Sequence, residues 1–249
     1  MDQDPRPPLT TYEALAGMVD HALLSPHLTE DDVRNGCDLA AGFRVATVTV
    51  RPFDVDLAVR MLRGTNVAVA SVAGFPHGSA NTGTKLYEIR DLIRRGCREI
   101  DISMNTGKLR SRQFAYLETE LVQAAKACHE EGAKLKVIIE TAYLDLELKL
   151  IACKLVKRSE SDFAVTSSGF SPSGAKVEDI KLMAGKCRYR AGVKAAQGID
   201  TLEFALALYE AGADRLGTPR SAAILDAWRE RLDATAAPQV VAPPAEAPT

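Results

Sequence analysis

The sequence predicts a single α/β domain that folds as a closed TIM-type (β/α)8 barrel. Eight short apolar runs alternate with longer amphipathic stretches, and this alternation is typical of parallel strands covered by helices. The chain has 249 residues, close to the length of about 250 at which such barrels form one domain. No Gly-rich G-x-G-x-x-G turn follows the first run, which disfavours the alternative, an open doubly wound sheet.

The eight predicted strands are rich in β-branched and other apolar residues, as expected for parallel strands that are buried on both faces. They cover residues 18–23, 44–50, 66–72, 99–102, 135–140, 162–165, 190–194 and 215–217. Helical patterns lie between them, and Thr29 with Asp32 predicts a capping box at the start of one helix. Gly132, Gly185 and Gly212 mark the expected ends of three others.

The two ends of the chain differ in composition from its middle. Residues 1–10 are polar and rich in proline, and they predict a flexible N-terminus. Residues 234–249 form an Ala/Pro tail without helical or strand periodicity, which predicts disorder. Residues 11–233 contain no linker, charge block or short repeat, so we expect them to form the barrel as one domain.

Composition excludes several classes of protein. The 31 basic and 33 acidic residues nearly cancel, which argues against binding of nucleic acid through bulk charge. No apolar run approaches the ~20 residues of a membrane helix, and the N-terminus lacks the pattern of a signal peptide. The five cysteines form no C-x-x-C pair and the four histidines lack the spacing of a zinc site. We therefore expect a cytoplasmic protein without disulfides, metal or cofactor, and with neither nucleic acid nor membrane as a partner.

Ionisable residues on the predicted strands are the candidates for catalysis, because barrels of this type carry their active sites where the strands end. Lys194 is flanked by small and apolar residues on a buried strand, where burial favours the uncharged, nucleophilic amine. Alternation places Glu99, Asp101 and Ser103 on one face of their strand, and a carboxylate is less costly inside the barrel than against the helices. Lys136 lies on the next strand. A structural ion pair of Lys194 with Asp101 is the competing interpretation.

In several ordered blocks the chain resembles the deoxyribose-phosphate aldolase family. The blocks are Asp20-His21-Ala22-Leu23-Leu24, Gly74-Phe75-Pro76-His77-Gly78 with Lys85, Glu99-Ile100-Asp101 with Asn105 and Gly107, Lys136-Val137-Ile138-Ile139-Glu140-Thr141, Asp162-Phe163-Ala164-Val165-Thr166-Ser167-Ser168-Gly169-Phe170, Gly192-Val193-Lys194-Ala195, and Arg215-Leu216-Gly217-Thr218. The resemblance runs from about residue 19 to residue 224. It implies a TIM barrel that cleaves and forms 2-deoxyribose 5-phosphate from acetaldehyde and glyceraldehyde 3-phosphate without a metal.

The resemblance also implies roles for particular positions, and one of them has changed. In the family a strand-six Lys forms a Schiff base with the aldehyde, and that position is Val165 here. The strand-seven Lys, which tunes the reactive amine, matches Lys194, and the strand-four Asp, which takes part in proton transfer, matches Asp101. Val165 cannot form an imine, so covalent catalysis is lost at that position.

The phosphate-binding region implied by the resemblance departs from the family pattern as well. Gln197 stands for a Gly, Asp200 for an Arg, and Pro219 removes a backbone N–H donor. Arg220 offsets that loss if its guanidinium binds the anion, although a solvated Arg is an equally good interpretation. Arg51, at the end of strand two, is expected to face the barrel mouth. The candidate substrate-binding residues are Asp20, Thr49, Thr166, Ser168, Gly169, Gly198, Gly217 and Arg220.

Three hypotheses for function remain open. The first is an aldolase-type lyase for a small carbonyl substrate, phosphorylated or not, in which Lys194 forms the imine, Asp101 is the acid/base and Lys136 helps to keep the amine uncharged. The second is a non-covalent acid/base enzyme, such as an isomerase, a cyclase or a non-imine aldol enzyme. The third is an inactive metabolite-binding barrel. A buried Lys and Asp together favour the first two, and a homodimer is left open as the assembly state.

Overall fold

The structure, a computed structural model, describes Arg6 and residues 8–236. Its eight parallel strands pair in sequence order, and the last strand pairs with the first to close the barrel. The predicted single (β/α)8 barrel is therefore confirmed. Residues 1–5, 7 and 237–249, which hold most of the two ends predicted to be flexible and disordered, lie outside the described residues.

The strands coincide with the predicted runs apart from a few residues at their ends. They are β1 Val19–Leu23, β2 Thr47–Val50, β3 Ala68–Ala73, β4 Glu99–Ser103, β5 Lys134–Ile138, β6 Phe163–Val165, β7 Gly192–Ala196 and β8 Arg215–Thr218. Two of these differences arise because the backbone leaves the extended conformation. Arg44 adopts a left-handed conformation with φ 54°, so β2 begins later than predicted. Glu140 does the same with φ 58°, so β5 ends at Ile138.

The helices cover the outside of the barrel. They are α1 Tyr12–Ala16, α2 Glu30–Phe43, α3 Val55–Met61, α4 Thr82–Arg94, α5 Thr106–Arg110, α6 Phe114–His129, α7 Leu146–Arg158, α8 Val177–Cys187, α9 Leu202–Ala211 and α10 Ser221–Ala236, with short 3-10 helices at Pro52–Asp54 and Thr141–Tyr143. The predicted capping box of Thr29 and Asp32 opens α2. Gly212 ends α9 in the left-handed conformation, whereas Gly185 lies within α8. No helix of residues 8–236 is long and apolar enough to cross a membrane.

Alternate residues along each strand serve two different cores. The outward-facing residues of β4, Ile100 and Ile102, are fully buried in the apolar layer between strands and helices. Their neighbours Glu99, Asp101 and Ser103 face the lumen, as the alternation predicted. All five cysteines are buried and free, as small apolar residues of the outer layer.

Strand β1 illustrates the same division with two adjacent ionisable residues. Asp20 points into the lumen, while His21 points outward to α10, where its Nδ1 lies 2.9 Å from the Ser221 hydroxyl oxygen. His21 is 4% exposed. Burial lowers its pKa to about 4 from the usual 6.5, so His21 is a neutral part of the packing between strand and helix at neutral pH.

We expect His21 to make the fold sensitive to mild acid. The unfolded chain takes up this proton near pH 6.5 and the folded protein near pH 4, so the stabilisation is complete above 6.5 and is lost as pH falls through this interval. The loss amounts to roughly 3 kcal/mol at 1.36 kcal/mol per pKa unit. The free energy of unfolding, measured with urea at several pH values, should fall less steeply with decreasing pH in His21→Asn than in the natural protein.

Two comparisons make this test specific. His27→Asn, which removes an exposed histidine instead of the buried one, is the comparison variant, and the decline should stay steeper in it than in His21→Asn. The cations around Asp20 hold the pKa of its carboxyl well below the usual range, so Asp20 contributes only at more acidic pH. An unchanged decline in His21→Asn would contradict the account.

Candidate active site

The strand register brings the candidate residues to neighbouring positions inside the barrel. Asp101 pairs with Lys136 across β4 and β5, and Val165 pairs with Lys194 across β6 and β7. Side chains on one face of parallel neighbours point the same way, so these four residues all project into the lumen. The predicted inward orientation of Asp101 is therefore what the barrel requires.

Six charged side chains form a layer across the lumen, which we call the charge layer. Its members are Asp20, Glu99, Asp101, Lys136, Lys194 and Arg215, and each is at most 9% exposed. Three carboxylates meet three cations, so the layer is neutral overall. Isolated charges in such surroundings are very costly, and pairing with hydrogen bonds is what makes their burial tolerable.

Lys194 has two carboxylate partners within this layer. Its Nζ lies 2.7 Å from Asp101 Oδ2 and 2.8 Å from Asp20 Oδ2. Lys136 Nζ lies 2.7 Å from the same Asp20 oxygen and 2.6 Å from Glu99 Oε2. Asp20 is thus shared between the two lysines, and it fixes the distance between them.

The remaining contacts complete the network. Lys136 Nζ is also 3.3 Å from Asp101 Oδ1, an ion-pair contact without hydrogen-bond geometry. Arg215 binds Asp20 Oδ1 through Nε at 2.9 Å and Glu99 Oε2 through a terminal nitrogen at 3.0 Å. Its guanidinium also lies over the Phe163 ring. The guanidinium therefore joins the carboxylates at the lower end of the layer.

The charge layer sets the protonation of its own members. Burial alone would raise the pKa of the Asp20 carboxyl, but the three cations outweigh burial and hold that pKa well below its usual range. Burial alone would lower the pKa of the Lys136 ammonium, but the three carboxylates raise it above its usual range. Asp20 therefore stays ionised and Lys136 stays charged at neutral pH. Lys136 was expected to help keep Lys194 uncharged. The carboxylates that lie between the two lysines oppose this effect.

A cavity of about 280 Å³ opens above the charge layer, at the carboxyl ends of the strands. Lys194 and Asp101 line it, together with the apolar side chains of Val72, Ile138 and Val165. Asp20 and Lys136 are not among its lining residues, because they lie deeper in the lumen. Of the candidate catalytic residues, Lys194 and Asp101 therefore reach the cavity and Lys136 does not.

The cavity wall also carries polar atoms that have no hydrogen-bond partner among the residues that the structure describes. Thr49 Oγ1, Ser167 Oγ and Asp101 Oδ1 are buried without a hydrogen bond, and all three residues line the cavity. Unpartnered buried polar groups are uncommon and costly in folded proteins. Their presence around one cavity indicates a site that is completed by a polar ligand.

Comparison with known proteins gives the family. The chain is 42% identical over 212 residues to the deoxyribose-phosphate aldolase of Aciduliprofundum boonei, covering 85% of this chain and 96% of that protein. It is 42% identical over 217 residues to the enzyme of Thermococcus gammatolerans, covering 86% and 96%. No protein-family model matches. The chain belongs to the deoxyribose-phosphate aldolase family.

Solved structures agree with this assignment. A deoxyribose phosphate aldolase from Aeropyrum pernix, described as a unique tetramer, superposes with a TM-score of 0.83 at 28% identity, covering 90% of this chain and 94% of that one. A structure described as "QR15, an Aldolase" gives a TM-score of 0.83 at 33% identity, covering 87% and 96%. The aldolase resemblance of the sequence is thereby confirmed, and with it the aldolase fold.

The other predicted site residues of this aldolase-family barrel lie at different depths. Ser168, Gly169, Gly198 and Gly217 line the cavity with Thr49. Thr166 does not line it. Its hydroxyl accepts the N–H of Ala196 at 3.0 Å and donates to the Ala196 carbonyl at 3.2 Å, so it joins β6 to β7.

The two arginines considered for the mouth do not line the cavity. Arg220 is exposed, and its Nε lies 3.9 Å from Asp200 Oδ1. Arg51 Nε donates to Asp54 at 2.6 Å, and its guanidinium also donates to the carbonyls of Ser25 and Pro26. The guanidinium of Arg51 therefore joins the loops after β1 and β2 at this end of the barrel, without lining the cavity.

Two members of the charge layer, Glu99 and Arg215, were missed as site residues, and a sequence signal was present for Glu99. Glu99 shares a strand face with Asp101, and the alternation that turned one inward applies to the other. Arg215 begins β8, which closes the barrel against β1 and Asp20. Nothing along the sequence indicates that Arg215 would bridge Asp20 and Glu99, because those contacts exist only once the barrel is closed.

We expect Lys136→Met to destabilise the protein by about 3–5 kcal/mol, because removing one partner leaves a buried charge uncompensated. The matched comparison is Arg112→Met. Arg112 forms an exposed ion pair with Glu147 at 2.8 Å, which contributes little to stability because water surrounds and screens it. Urea unfolding at neutral pH measures both. An equal loss in the two variants would contradict the coupling of the layer.

Proposed function

We propose that this protein is an aldolase-type carbon–carbon lyase in which Lys194 forms the imine with a small carbonyl substrate and Asp101 transfers the protons. The observation that supports this most is the contact of Lys194 Nζ with Asp101 Oδ2 at 2.7 Å, on the floor of the cavity. Among the described residues, Lys194 is the one lysine that lines this cavity. An amine and a carboxylate in contact are the minimum for imine chemistry.

Val165 explains why the amine has to act from another strand. The family resemblance assigns the Schiff-base lysine to this position, and a valine there has no nucleophile. Val165 is 1% exposed and directly paired with Lys194 on the neighbouring strand. A carbonyl carbon held over Val165 is therefore beside Lys194.

Asp101 is the better of the two carboxylates to accept the proton of the Lys194 ammonium. Asp20 contacts three cations and stays ionised, since its pKa is held well below the usual range. Asp101 Oδ1 has no hydrogen-bond partner, and Asp101 lines the cavity. A proton passed from Lys194 to Asp101 leaves a neutral amine and an acid at the same place.

The imine then forms with balanced proton transfers. The neutral amine adds to the carbonyl carbon while one of its protons passes to the carbonyl oxygen, which gives a carbinolamine. Asp101 returns its proton to that hydroxyl, which leaves as water, and the carbon–nitrogen double bond forms with a positive charge. The iminium then accepts the electron pair of the bond between the α and β carbons, while Asp101, now a carboxylate, takes the proton of the β-hydroxyl. That bond breaks to give an enamine and an aldehyde, and in reverse the enamine carbon adds to the aldehyde. Protonation of the enamine carbon by Asp101 and addition of water release the product and return the free amine.

We assign recognition of the polar groups of the substrate to the buried hydroxyls that have no hydrogen-bond partner. Thr49 Oγ1 and Ser167 Oγ are suited to bind hydroxyl or carbonyl oxygens of a substrate, since each is both donor and acceptor. The apolar floor of Val72, Ile138 and Val165 excludes water from the reacting bond. This combination favours a hydroxylated aldehyde or ketone group at this end of the substrate.

The rim over β6–β8 argues against a phosphate group there. Gln197, with φ 74°, has its side-chain amide bonded to the backbone carbonyl and the hydroxyl of Ser171, at 3.0 and 3.1 Å. Asp200 adds a carboxylate to the cavity lining, and Pro219 has no N–H to donate. Arg220 is turned to Asp200. We infer a substrate without a phosphate at this rim.

A second candidate is a non-covalent acid/base enzyme. One observation favours it, because the ammonium of Lys194 is held between two carboxylates, and such pairing stabilises the charged form. A charged Lys194 would act as the acid that protonates a carbonyl oxygen, with Asp101 as the base. Isomerisation, cyclisation or a non-imine aldol step would then follow.

Reductive trapping distinguishes the two candidates. Borohydride added with acetaldehyde, and separately with dihydroxyacetone, should leave a covalent adduct on the Lys194 peptide in mass spectrometry. Lys194→Met should lose the adduct, and Lys149→Met, which removes a lysine paired with Asp179 on the outer helices, should keep it. Turnover that Asp101→Asn abolishes without any adduct in the natural protein would support the second candidate. Neither adduct nor turnover would support a binding barrel.

Val165→Lys tests the rim. We expect this variant to cleave 2-deoxyribose and its 5-phosphate with kcat/KM values within about tenfold of each other, since a charge-assisted clamp on phosphate would give more than that. Val165→Met is the control of similar length without the amine. A strong preference for the phosphorylated sugar would show that the rim binds phosphate after all.

The cellular compartment and the oligomeric state are inferred from the cysteines and from a relative. The buried free thiols are compatible with a reducing compartment, and we infer the cytoplasm. Self-association is proposed by analogy with the tetramer described for the Aeropyrum pernix relative. Sedimentation velocity would give the assembly state directly.

A further inference from the structure

A second cavity, which we call the side lobe, lies beside the main cavity at the mouth of the barrel, over β4 and β5. We propose that the side lobe binds a negatively charged tail of the substrate, so that the natural substrate is a carbonyl compound with a remote carboxylate or similar anion. The inference deepens the proposed function, since it takes the carbonyl group to lie at Lys194.

The two cavities are continuous in their walls. Ile138, Ser168 and Phe170 line both of them. The Phe170 ring meets the Phe75 ring edge-on, with centroids 5.4 Å apart, and this pair forms an apolar ridge between the lobes. A ligand that lies across the ridge would contact both cavities.

Size favours a ligand longer than a short sugar. The main cavity measures about 280 Å³ and the side lobe about 290 Å³. Either one alone lies near the lower bound of the range of about 300–1,000 Å³ typical of small-molecule sites. Together they fall well within it. The exposed rings of Phe170 and Tyr143, 44% and 45% exposed, supply apolar surface to cover the middle of such a ligand.

The charge of the tail follows from Arg110, which lines the side lobe. Its guanidinium forms no ion pair or hydrogen bond with any residue of the described range, 8–236. The other arginines of this end of the barrel differ, since Arg51, Arg112 and Arg220 face the carboxylates of Asp54, Glu147 and Asp200. Arg110 is exposed at the edge of the lobe, and an unpaired guanidinium there is suited to bind a carboxylate through two hydrogen bonds.

Polar groups deeper in the side lobe fit the same ligand. Ser103 is 2% exposed, lines the lobe, and has a hydroxyl without a hydrogen-bond partner. His77 also lines the lobe. The carboxylate of Glu140 is present as well, but both of its oxygens face the N–H of Ser168 at 3.3 Å. The negative charge of Glu140 therefore lies at the wall shared with the main cavity, and Arg110 is left for the ligand.

Isothermal titration with a graded series of methyl-ketone carboxylates, from levulinate upward, tests the proposal against their methyl esters. We expect affinity to rise with chain length until the carboxylate reaches Arg110. At that length the acid should bind about tenfold more tightly than its ester, as a charge-assisted contact would give. Arg110→Met should abolish this preference. Arg112→Met, two residues away, should keep it.

Three results would overturn the proposal: equal binding of acid and ester, a preference retained in Arg110→Met, or no binding of any member of the series. Because acid and ester carry the same carbonyl group, any imine formation contributes equally to both, and their difference in affinity reports on the side lobe alone. The two proposals therefore fail separately. A charge preference without a borohydride adduct would reject the imine and keep the side lobe. An adduct at Lys194 without the charge preference would reject the side lobe alone.

Discussion

The rest of the site depends on the neutral charge layer inside the barrel. Six buried ionisable groups lie between the two ends of the lumen, and each depends on its neighbours because an unpaired charge there would be very costly. Asp20 lies at the centre, with both lysines and Arg215 on its two oxygens. The layer therefore acts as a rigid floor. The few groups at its upper surface, Lys194 and Asp101, are the ones available to a ligand.

The charge layer accounts for local features of the barrel, namely a glycine on β8 and the small side chains of the upper lumen. A Cβ on Gly217 would lie 2.9 Å from Lys194 Cε, so β8 needs a glycine where the lysine side chain passes. Small and apolar residues such as Ala22, Val72 and Val165 line the upper lumen. Because their side chains are short, space is left for the cavity. Val165, at the position where the family resemblance implies a lysine, brings no charge into the lumen, and the three cations and three carboxylates of the layer remain balanced.

The sequence predicted the architecture well because strand burial and helix caps are local signals. All eight strands and the closed barrel follow from runs of apolar residues, and the inward orientation of Asp101 follows from alternation. Two strand ends were misjudged where Arg44 and Glu140 adopt left-handed conformations, which no side-chain pattern reveals. The site was harder, because depth in the lumen depends on register between strands. Thr166 and Ser168 are two residues apart on one segment, yet only Ser168 lines the cavity, and Lys136 lies below it.

A crystal structure of the protein soaked with a methyl-ketone carboxylate would show directly whether Lys194 and Asp101 hold the carbonyl group of a substrate. We expect the carbonyl carbon of the ligand to be bonded to Lys194 Nζ or in contact with it. Asp101 should form a hydrogen bond to the carbonyl oxygen, or to a water that replaces this oxygen. Val165 should lie under the carbonyl carbon. A ligand bound elsewhere on the molecule, or in the cavity with its carbonyl turned away from both Lys194 and Asp101, would contradict this expectation.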